Sequence, residues 1–235
     1  MSRRLFHFRG GLALRHHKRD STSIHVSQAP MPKQLVLPLQ QHIGQAATPV
    51  VAVGDKVTKG QLIAEAGNVI SAPVHAPTSG RISAINEHAI PHPSGLKAPC
   101  ITIDTDGFDR DRRTQRRHRN FSEHSAGEIR EMIRNAGVVG LGGAGFPSHV
   151  KLDAKQHQVE TLILNGAECE PFITCDEMLM QEQAVEVIEG LNIMRHALGA
   201  KHCIIGIENK KDKAIKAMQY ALNNSGLTDI ELVSV

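Results

Sequence analysis

The arrangement of apolar residues changes once along this chain, at a basic stretch near its middle. Before that stretch, short apolar runs typical of strands are separated by Gly, Pro and Asn. After it, longer segments with helical spacing alternate with short apolar runs. One regular architecture does not produce both patterns, so the sequence predicts an α+β multidomain chain. We expect a small all-β domain first and an α/β domain with a parallel sheet second.

The first pattern has the features of a flattened β-barrel. Runs such as LVLPL, RISAI and CITID each predict a short strand. Val53–Ile85 resembles the biotinyl and lipoyl carrier domains, which implies a barrel-sandwich fold with positive-φ turns at Gly54, Gly60 and Gly80. The modified lysine of those carriers would fall near Val69, where this chain has no lysine. We therefore interpret the domain as a structural or docking module and not as a carrier.

The second pattern predicts helices and strands in the order β-α-β-α-β, which implies right-handed crossovers and a parallel sheet. The chain ends within the last of these strands, which indicates an incomplete domain. The predicted elements are a helix at Ser122–Asn135 capped by Ser122 or Ser125, a strand at Glu160–Asn165, a helix at Leu179–Leu198 ended by Gly199, a strand at His202–Glu208, a helix at Asn209–Asn223 capped by Asn209, and a strand at Asp229–Val235.

The expected domain organisation has four parts: an extended N-terminal arm (1–32), the barrel-sandwich domain (33–107), a basic linker (108–121) and the α/β domain (122–235). The linker contains RDRRTQRRHRN, which predicts a solvated connection or a contact with lipid headgroups or an acidic partner. The net charge of +3 does not indicate a nucleic-acid partner. No apolar run approaches the roughly 18–20 residues that cross a bilayer, so any membrane contact is expected to be peripheral.

Metal-binding spacings are missing from the sequence. The four cysteines form no C-x-x-C pair, and the 14 histidines offer no H-x₃-H pair on a predicted helix. We predict no metal site and interpret the cysteines as reduced thiols of a cytoplasmic protein.

A glycine-rich loop, GLGGAG, matches the G-x-G-x-x-G spacing at Gly140–Gly145. A dinucleotide-binding turn follows a strand and continues into a helix, whereas here a helix precedes the loop and Phe146-Pro147 follows it. The glycine backbone can nevertheless approach a phosphate or a flat ring, because no Cβ intrudes. Lys151 could supply a counter-charge and Phe146 could stack on a ring. The alternative is a flexible loop without a ligand.

A second polar segment, Asn165-Gly-Ala-Glu168-Cys-Glu170, follows the predicted strand that ends in ILN. Ligands of parallel sheets bind at the carboxyl ends of strands. Asn165 suits a flavin edge or a ribose, while Glu168 and Glu170 can accept from ribose hydroxyls or a carboxamide. The alternative is a solvated turn.

The segments GLGGAGFPSHVKL and LILNGAECEPFITCDEMLM, together with HAPTSG and HPSGL, resemble the C subunit of the Rnf ion-translocating electron-transport complex. The first two are also similar to the NADH-binding 51 kDa flavoprotein subunit of respiratory complex I. The resemblance implies an FMN and NADH site, with Glu208 aligned to a flavin-contacting glutamate. The implied cofactor-binding residues are Gly140, Gly142, Gly143, Ala144, Gly145, Phe146, Lys151, Asn165, Glu168, Glu170 and Glu208.

The resemblance further implies hydride transfer from NADH to FMN without a catalytic acid or base. Electrons would pass to 4Fe–4S clusters whose cysteine ligands this chain lacks. Implied partners are the other subunits of a membrane complex, at the cytoplasmic face of the bacterial inner membrane. The chain departs from the family's GGIHPP-like motif at Gly10–His16. Two alternatives are a docking scaffold or truncated paralogue with a vestigial nucleotide site, and a free-standing NAD-dependent dehydrogenase in which Glu168 binds the adenosine ribose.

Overall fold

A computed structural model of the chain describes residues 10, 14–68, 70–92, 94–111, 120–154 and 158–235. The chain forms two compact units. One comprises residues 29–153, and the other comprises residues 154–235 together with the described residues up to Gln28. The position near Val69 and residues 112–119 of the basic run lie outside the described residues, so the predictions about them stay predictions. The same holds for the four domain boundaries expected from the sequence.

The described residues contain ten strands and six α-helices, numbered here in chain order. The strands are β1 Gln34–Pro38, β2 Thr48–Pro49, β3 Lys56–Val57, β4 Leu62–Glu65, β5 Val74–His75, β6 Gly80–Ala89, β7 Lys97–Thr105, β8 Thr161–Gly166, β9 His202–Ile207 and β10 Ile230–Ser234. The helices are α1 Arg19–Thr22, α2 Ala126–Asn135, α3 Ser148–Lys151, α4 Cys175–Glu182, α5 Ala184–Leu198 and α6 Asp212–Asn224.

Two antiparallel sheets form the body of the 29–153 unit. One sheet has the order β1-β7-β6-β3 and the other has the order β2-β4-β5. Aliphatic side chains from both sheets share one core, in which Ile63, Ile82, Ile101 and Ile103 are completely buried. Because each such side chain contributes roughly 1.5–3 kcal/mol when it leaves water, a barrel without tryptophan still has a sufficient core. Helices α2 and α3 belong to this same unit.

The other unit is built on a parallel sheet with the order β10-β9-β8. Its core lies between the sheet and helices α4, α5 and α6, where Leu191, Ile205, Ile207 and Met218 are completely buried. The antiparallel sheets followed by a parallel sheet confirm the predicted α+β class. Gly199 ends α5 in the left-handed conformation at φ 65°, as predicted. Ser125 caps α2 through a capping box with Glu128, which decides between the two proposed caps.

Two helix predictions were wrong. The single helix expected at Leu179–Leu198 is two helices, because Gln183 leaves the helical region at φ −131° and ψ 35°. The apolar stripe continues across this break, so periodicity gave no sign of it. Asn209 does not cap α6, because the helix begins only at Asp212 and Lys211 occupies the N-cap position. The Asn209 N–H donates instead to Val235 O at 2.8 Å.

One glycine prediction was also wrong. Gly54 and Gly60 have the expected positive φ, at 99° and 76°, but Gly80 is not among the positive-φ glycines. A Cβ at Gly80 would collide with the backbone oxygen of Asp104 on the neighbouring strand. This glycine therefore permits a close approach of two strands, and it does not make a turn.

No helix within the described ranges is both long enough and apolar enough to cross a bilayer.

Candidate functional site

The two ends of the glycine-rich loop, in the 29–153 unit, are joined by two backbone contacts. Val139 pairs with Pro147 in an antiparallel bridge, and Gly140 N–H donates to Phe146 O at 2.8 Å. Helix α2 ends four residues before Val139, and only the four-residue α3 follows the loop. This order differs from the strand-loop-helix order of a dinucleotide-binding turn, so the argument from the sequence against that motif agrees with the structure.

The tip of this loop exposes its backbone. Leu141 is 92% exposed, and a Cβ added at Gly142 or Gly143 would meet no atom within 4 Å. Gly143 has φ 99°, which side chains rarely tolerate. The tip therefore offers peptide groups that a phosphate or a flat ring can approach without obstruction.

The root of the loop is packed tightly, in contrast to its tip. Gly145 has φ 57°, and a Cβ there would lie 2.7 Å from Gln41 O and 2.8 Å from His42 Cα. A Cβ at Gly137 would likewise lie 2.7 Å from Pro73 O. The loop thus rests directly on two segments of the barrel, and only glycine fits at both contacts.

A buried histidine fixes one of those barrel segments. The His42 Nε2 atom accepts from Ala72 N–H at 3.2 Å, and its Nδ1 atom lies 3.1 Å from Ile43 O. In this pair of contacts Nε2 is the acceptor and Nδ1 faces a carbonyl oxygen. A cavity of about 220 Å³ lies beside His42, between the barrel and the residues that lead into the glycine loop. We assign no ligand to it.

Lys151 and Phe146 flank the root of the loop. The Lys151 Nζ atom is 6.0 Å from the centre of the Phe146 ring, which is the outer limit of a cation–π contact. A Cβ at Gly140 would collide with this same Nζ atom. The ammonium group is therefore held close to the loop backbone, where it can balance a phosphate charge.

The second predicted element lies at the carboxyl end of β8, in the other unit. Asn165 is exposed, and its Oδ1 atom accepts from Ala167 N–H at 3.0 Å, which turns the chain out of the strand. A Cβ at Gly166 would lie 3.0 Å from both Gly206 O and Met180 Sδ. The strand-end loop, defined here as residues 167–174, starts from this crowded position.

Every polar group of Glu168 has a protein partner. Its N–H donates to Glu208 Oε1 at 2.8 Å, and its backbone oxygen accepts from Lys18 Nζ and from Lys211 Nζ. Its Oε1 atom accepts from Asp176 N–H at 2.8 Å and from Cys175 Sγ at 3.4 Å. The residue is 3% exposed. Its side chain thus joins several segments of the unit.

Two lysines balance the Glu168 carboxylate. Lys211 Nζ lies 3.3 Å from Oε2 and Lys18 Nζ lies 3.8 Å from it. Burial raises the pKa of Glu168, but the N–H of Asp176, the thiol of Cys175 and the Lys211 ammonium together outweigh burial. The pKa of Glu168 therefore lies below its ordinary value, and the group is a carboxylate at neutral pH.

The groups beside Glu168 are shifted in the opposite direction. Burial, with the hydrogen bond to Glu168, raises the pKa of the Cys175 thiol. Partial burial and the neighbouring charge of Glu168 raise the pKa of Asp176. The ligating atoms of these three residues lie within 4.8 Å of one another, but the protein already occupies both Glu168 oxygens. We assign no metal to this cluster. All four cysteines of the chain are free thiols.

Glu170 differs sharply from Glu168. It is exposed, and so are Asn165 and Cys169 beside it. Glu208 follows β9 at the same edge of the sheet, since Gly166 pairs with Ile207 there. The structure therefore brings four predicted residues to one sheet edge: Asn165, Glu168, Glu170 and Glu208. The other seven, from Gly140 to Lys151, lie in the 29–153 unit.

Four residues that contact Glu168 were not predicted as site residues from the sequence: Lys18, Lys211, Cys175 and Asp176. Lys211 follows β9 by four residues, and the rule that ligands collect at strand ends could have indicated it. Lys18 lies 150 residues from Glu168 in the sequence, and no pattern connects the two.

The N-terminal segment, defined here as residues 14–28, runs along the strand-end loop. Phe172 N–H donates to His16 O at 2.8 Å, and the rings of His17 and Phe172 stack with centroids 4.8 Å apart. Thr174 Oγ1 donates to Ser21 Oγ at 2.9 Å.

Comparison with known proteins defines the class. Residues 6–108 match the family model described as the RnfC barrel sandwich hybrid domain, and residues 133–235 match the Nuo51 FMN-binding domain. The chain thus joins a barrel-sandwich domain to a flavoprotein module, and both predicted binding elements fall within the second match.

Curated relatives identify the family. The chain is 47% identical over 216 residues to the C subunit of the ion-translocating oxidoreductase complex of Rhodobacter capsulatus, covering 91% of this chain and 41% of that protein. It is 44% identical over 229 residues to the equivalent protein of Yersinia pestis bv. Antiqua, covering 97% and 36%. With the equivalent protein of Pseudomonas aeruginosa it shares 45% identity over 218 residues, covering 92% and 28%. The chain belongs to this family of C subunits, and it spans less than half the length of each of these relatives.

Among solved structures, an NAD+-reducing nickel–iron hydrogenase in the H2-reduced state aligns at 22% identity with a TM-score of 0.43, over 48% of this chain and 21% of that one. We draw nothing from so partial a likeness.

Proposed function

We propose that this chain binds FMN and NADH and supports hydride transfer from NADH within an ion-translocating oxidoreductase complex. The observation that carries the proposal is the open tip of the glycine loop, where Gly142 and Gly143 leave their backbone unobstructed, while the Lys151 ammonium lies against Gly140 at the root of the same loop. The family model for an FMN-binding domain covers this loop, and the names of the curated relatives support the assignment to such a complex.

The residues present suit a flavin phosphate and its ring. The peptide groups of the tip have no side chains to exclude a ligand, and Lys151 supplies a positive charge. We propose that Gly140, Gly142, Gly143, Ala144, Gly145, Phe146 and Lys151 contact FMN. FMN, when bound, supplies the chemistry that accepts a hydride and releases electrons singly.

At the strand end, the two glutamates have different tasks. Because the protein itself uses both Glu168 oxygens, we propose that Glu168 shapes the loop and that Asn165 and the exposed Glu170 receive hydroxyl or amide groups of NADH. Glu208 directly follows β9, and its Oε1 atom accepts a hydrogen bond from Glu168 N–H, so it supports the same loop. No side chain is required as an acid or base.

The proposed partners and location rest on the resemblance to the curated relatives. We propose that the chain assembles with the other subunits of the complex, peripherally at the cytoplasmic face of the inner membrane, and that 4Fe–4S clusters outside this chain receive the electrons. The names of the relatives, which are subunits of an ion-translocating complex, support this assignment.

Gly142→Ala provides the test. Its φ is not positive and a Cβ there meets nothing, so the apoprotein should fold unchanged while a methyl group projects from the open tip. We expect FMN fluorescence to be quenched on titration with the unsubstituted chain, anaerobic NADH to bleach the bound flavin, and Gly142→Ala to weaken FMN binding by about tenfold or more.

Gly190→Ala is the matched control, because a Cβ at Gly190 in α5 also meets nothing. It should leave FMN affinity unchanged. If the unsubstituted chain neither binds FMN nor shows NADH-dependent bleaching, the proposal is wrong.

A further inference from the structure

We propose that Lys18 is a positioning residue for the nicotinamide nucleotide, acting through Glu168 from the N-terminal segment. This inference rests on the proposed function of the strand-end loop. Lys18 contacts Glu168, and the proposed NADH-binding residues Asn165 and Glu170 lie on either side of Glu168 in the chain.

Lys18 reaches two different atoms of Glu168. Its Nζ atom hydrogen-bonds the backbone oxygen and lies 3.8 Å from the carboxylate Oε2. The Lys18 side chain is only 14% exposed, and that of Glu168 only 2%. Burial of this extent makes an ion pair much less sensitive to solvent screening than a surface pair.

Lys211 contacts the same two atoms from another element. Its Nζ atom lies 3.4 Å from Glu168 O and 3.3 Å from Oε2. The two lysines arrive from the N-terminal segment and from the turn before α6, so the Glu168 main chain and side chain are held together from two directions. With only one of these lysines, a single ammonium group would have to bind both the backbone oxygen and the Oε2 atom of Glu168.

The contacts on either side of Lys18 extend this attachment along the loop. His16 O accepts from Phe172 N–H, the His17 ring stacks on Phe172 at an interplanar angle of 6°, and Ser21 accepts from Thr174. Phe172 has φ 67°, a left-handed conformation that is uncommon for a large side chain. Such a conformation persists where surrounding contacts hold it, and the N-terminal segment provides them.

The consequence for the site is geometric. Glu170 is two residues beyond Glu168 and two before Phe172, so the exposed carboxylate lies between two residues that the N-terminal segment holds. The direction in which Glu170 projects is therefore set by a segment about 150 residues away in the sequence. A ligand that depends on this carboxylate depends on Lys18 as well.

The test compares Lys18→Met, Lys18→Arg and the matched control Arg19→Met in the full chain. Arg19→Met removes the same charge from the next position of the same segment, where the side chain is exposed. The first readout is amide hydrogen exchange, measured by mass spectrometry without ligand in peptides covering 166–178. The second is the dissociation constant of a non-reducing NADH analogue for the FMN-loaded chain.

Lys18→Met should speed exchange of the strand-end loop by about tenfold and raise the dissociation constant of the analogue by about tenfold, the effect of one charge-assisted hydrogen bond. Peptides from β9 should exchange as before, because the side chains that cover this strand, such as Leu191 and Met218, belong to α5 and α6 and not to the strand-end loop. Lys18→Arg should recover most of both losses, and Arg19→Met should change neither.

Three outcomes would overturn the inference. Unchanged loop exchange in Lys18→Met would remove the positioning role, and faster exchange throughout β9 would show a general stabilising role instead. Affinity for the analogue that is retained while the loop loosens would show that the site does not depend on Lys18. Failure of the unsubstituted chain to bind FMN would refute the proposed function itself, together with the site that Lys18 serves.

Discussion

Lys211 Nζ lies 3.3 Å from Glu168 Oε2, and the two side chains are only 3% and 2% exposed. An ion pair so completely removed from water needs further hydrogen bonds to offset the loss of hydration. Glu168 has them, from Asp176 N–H and from Lys18. The pair therefore defines a rigid point at the carboxyl edge of the parallel sheet, and several predictions concern it.

Replacing Glu168 by Gln should destabilise the parallel-sheet unit by about 3 kcal/mol, since it leaves the buried Lys211 ammonium with only Glu208 Oε1, 3.9 Å away, as an ion-pair partner among the described residues. Glu170→Gln, two residues away and exposed, should change stability by less than about 0.5 kcal/mol. Hydrogen exchange of β9 amides would report the opening free energy of this unit for both variants. Equal effects would mean that the Glu168 ion pair contributes nothing beyond an exposed charge.

The contribution of Glu168 should depend on pH in a defined direction. The folded-state pKa of this group lies below its unfolded value of about 4.3. Its stabilising effect is therefore complete above about pH 4.3 and is lost as pH falls from there through the folded pKa. The stability difference between the unsubstituted chain and Glu168→Gln should be constant near neutrality and shrink in acid. A difference that grew in acid would contradict the direction of the shift.

Gly145→Ala should destabilise the 29–153 unit by about 1–3 kcal/mol, because it combines a positive φ with a Cβ that lies 2.7 Å from Gln41 O. Gly199→Ala provides the comparison: its φ of 65° is similar, but a Cβ there meets nothing within 4 Å. That variant should cost only about 1 kcal/mol in its own unit. Denaturation of the full chain, monitored in each unit by hydrogen exchange, would measure both losses of stability. The excess loss in Gly145→Ala over Gly199→Ala reports the collision with the barrel, because both variants share the backbone strain.

Glu170→Gln should weaken NADH binding by about tenfold while it leaves FMN affinity nearly unchanged, because a charged acceptor is lost from the exposed part of the loop. Titration of the FMN-loaded chain with a non-reducing NADH analogue would measure this. Glu189→Gln, the same substitution at an exposed position of α5, serves as the control and should change neither affinity. A loss of FMN affinity equal to the loss for the nucleotide would reassign Glu170 to the flavin.

Several elements were predictable because a local chemical cause determines them. The strand ILN at β8 was placed to within one residue, and Gly199 was recognised from its position after an apolar helical stripe. Ser125 was one of two serines predicted to cap α2, and the structure chose it. The break at Gln183 was not predictable, since neither proline nor glycine marks it.

The candidate site shows the same division. The sequence indicated the glycine loop and the strand-end carboxylates, because their residue types are informative at short range. It could not separate the buried Glu168 from the exposed Glu170, which are chemically identical two residues apart. Partners from distant parts of the chain, Lys18 and Lys211 among them, converge on Glu168 and make the distinction, and such long-range pairing leaves no trace in spacing.

The dependence of the glycine loop on the barrel affects how the flavoprotein module can be studied. The matched FMN-binding domain starts at residue 133, yet Gly137 and Gly145 rest against Pro73, Gln41 and His42. A protein cut at the family boundary would keep the whole glycine motif but lose the surface that shapes it. Heterologous expression of that half alone would then underestimate flavin affinity even though every motif residue was present.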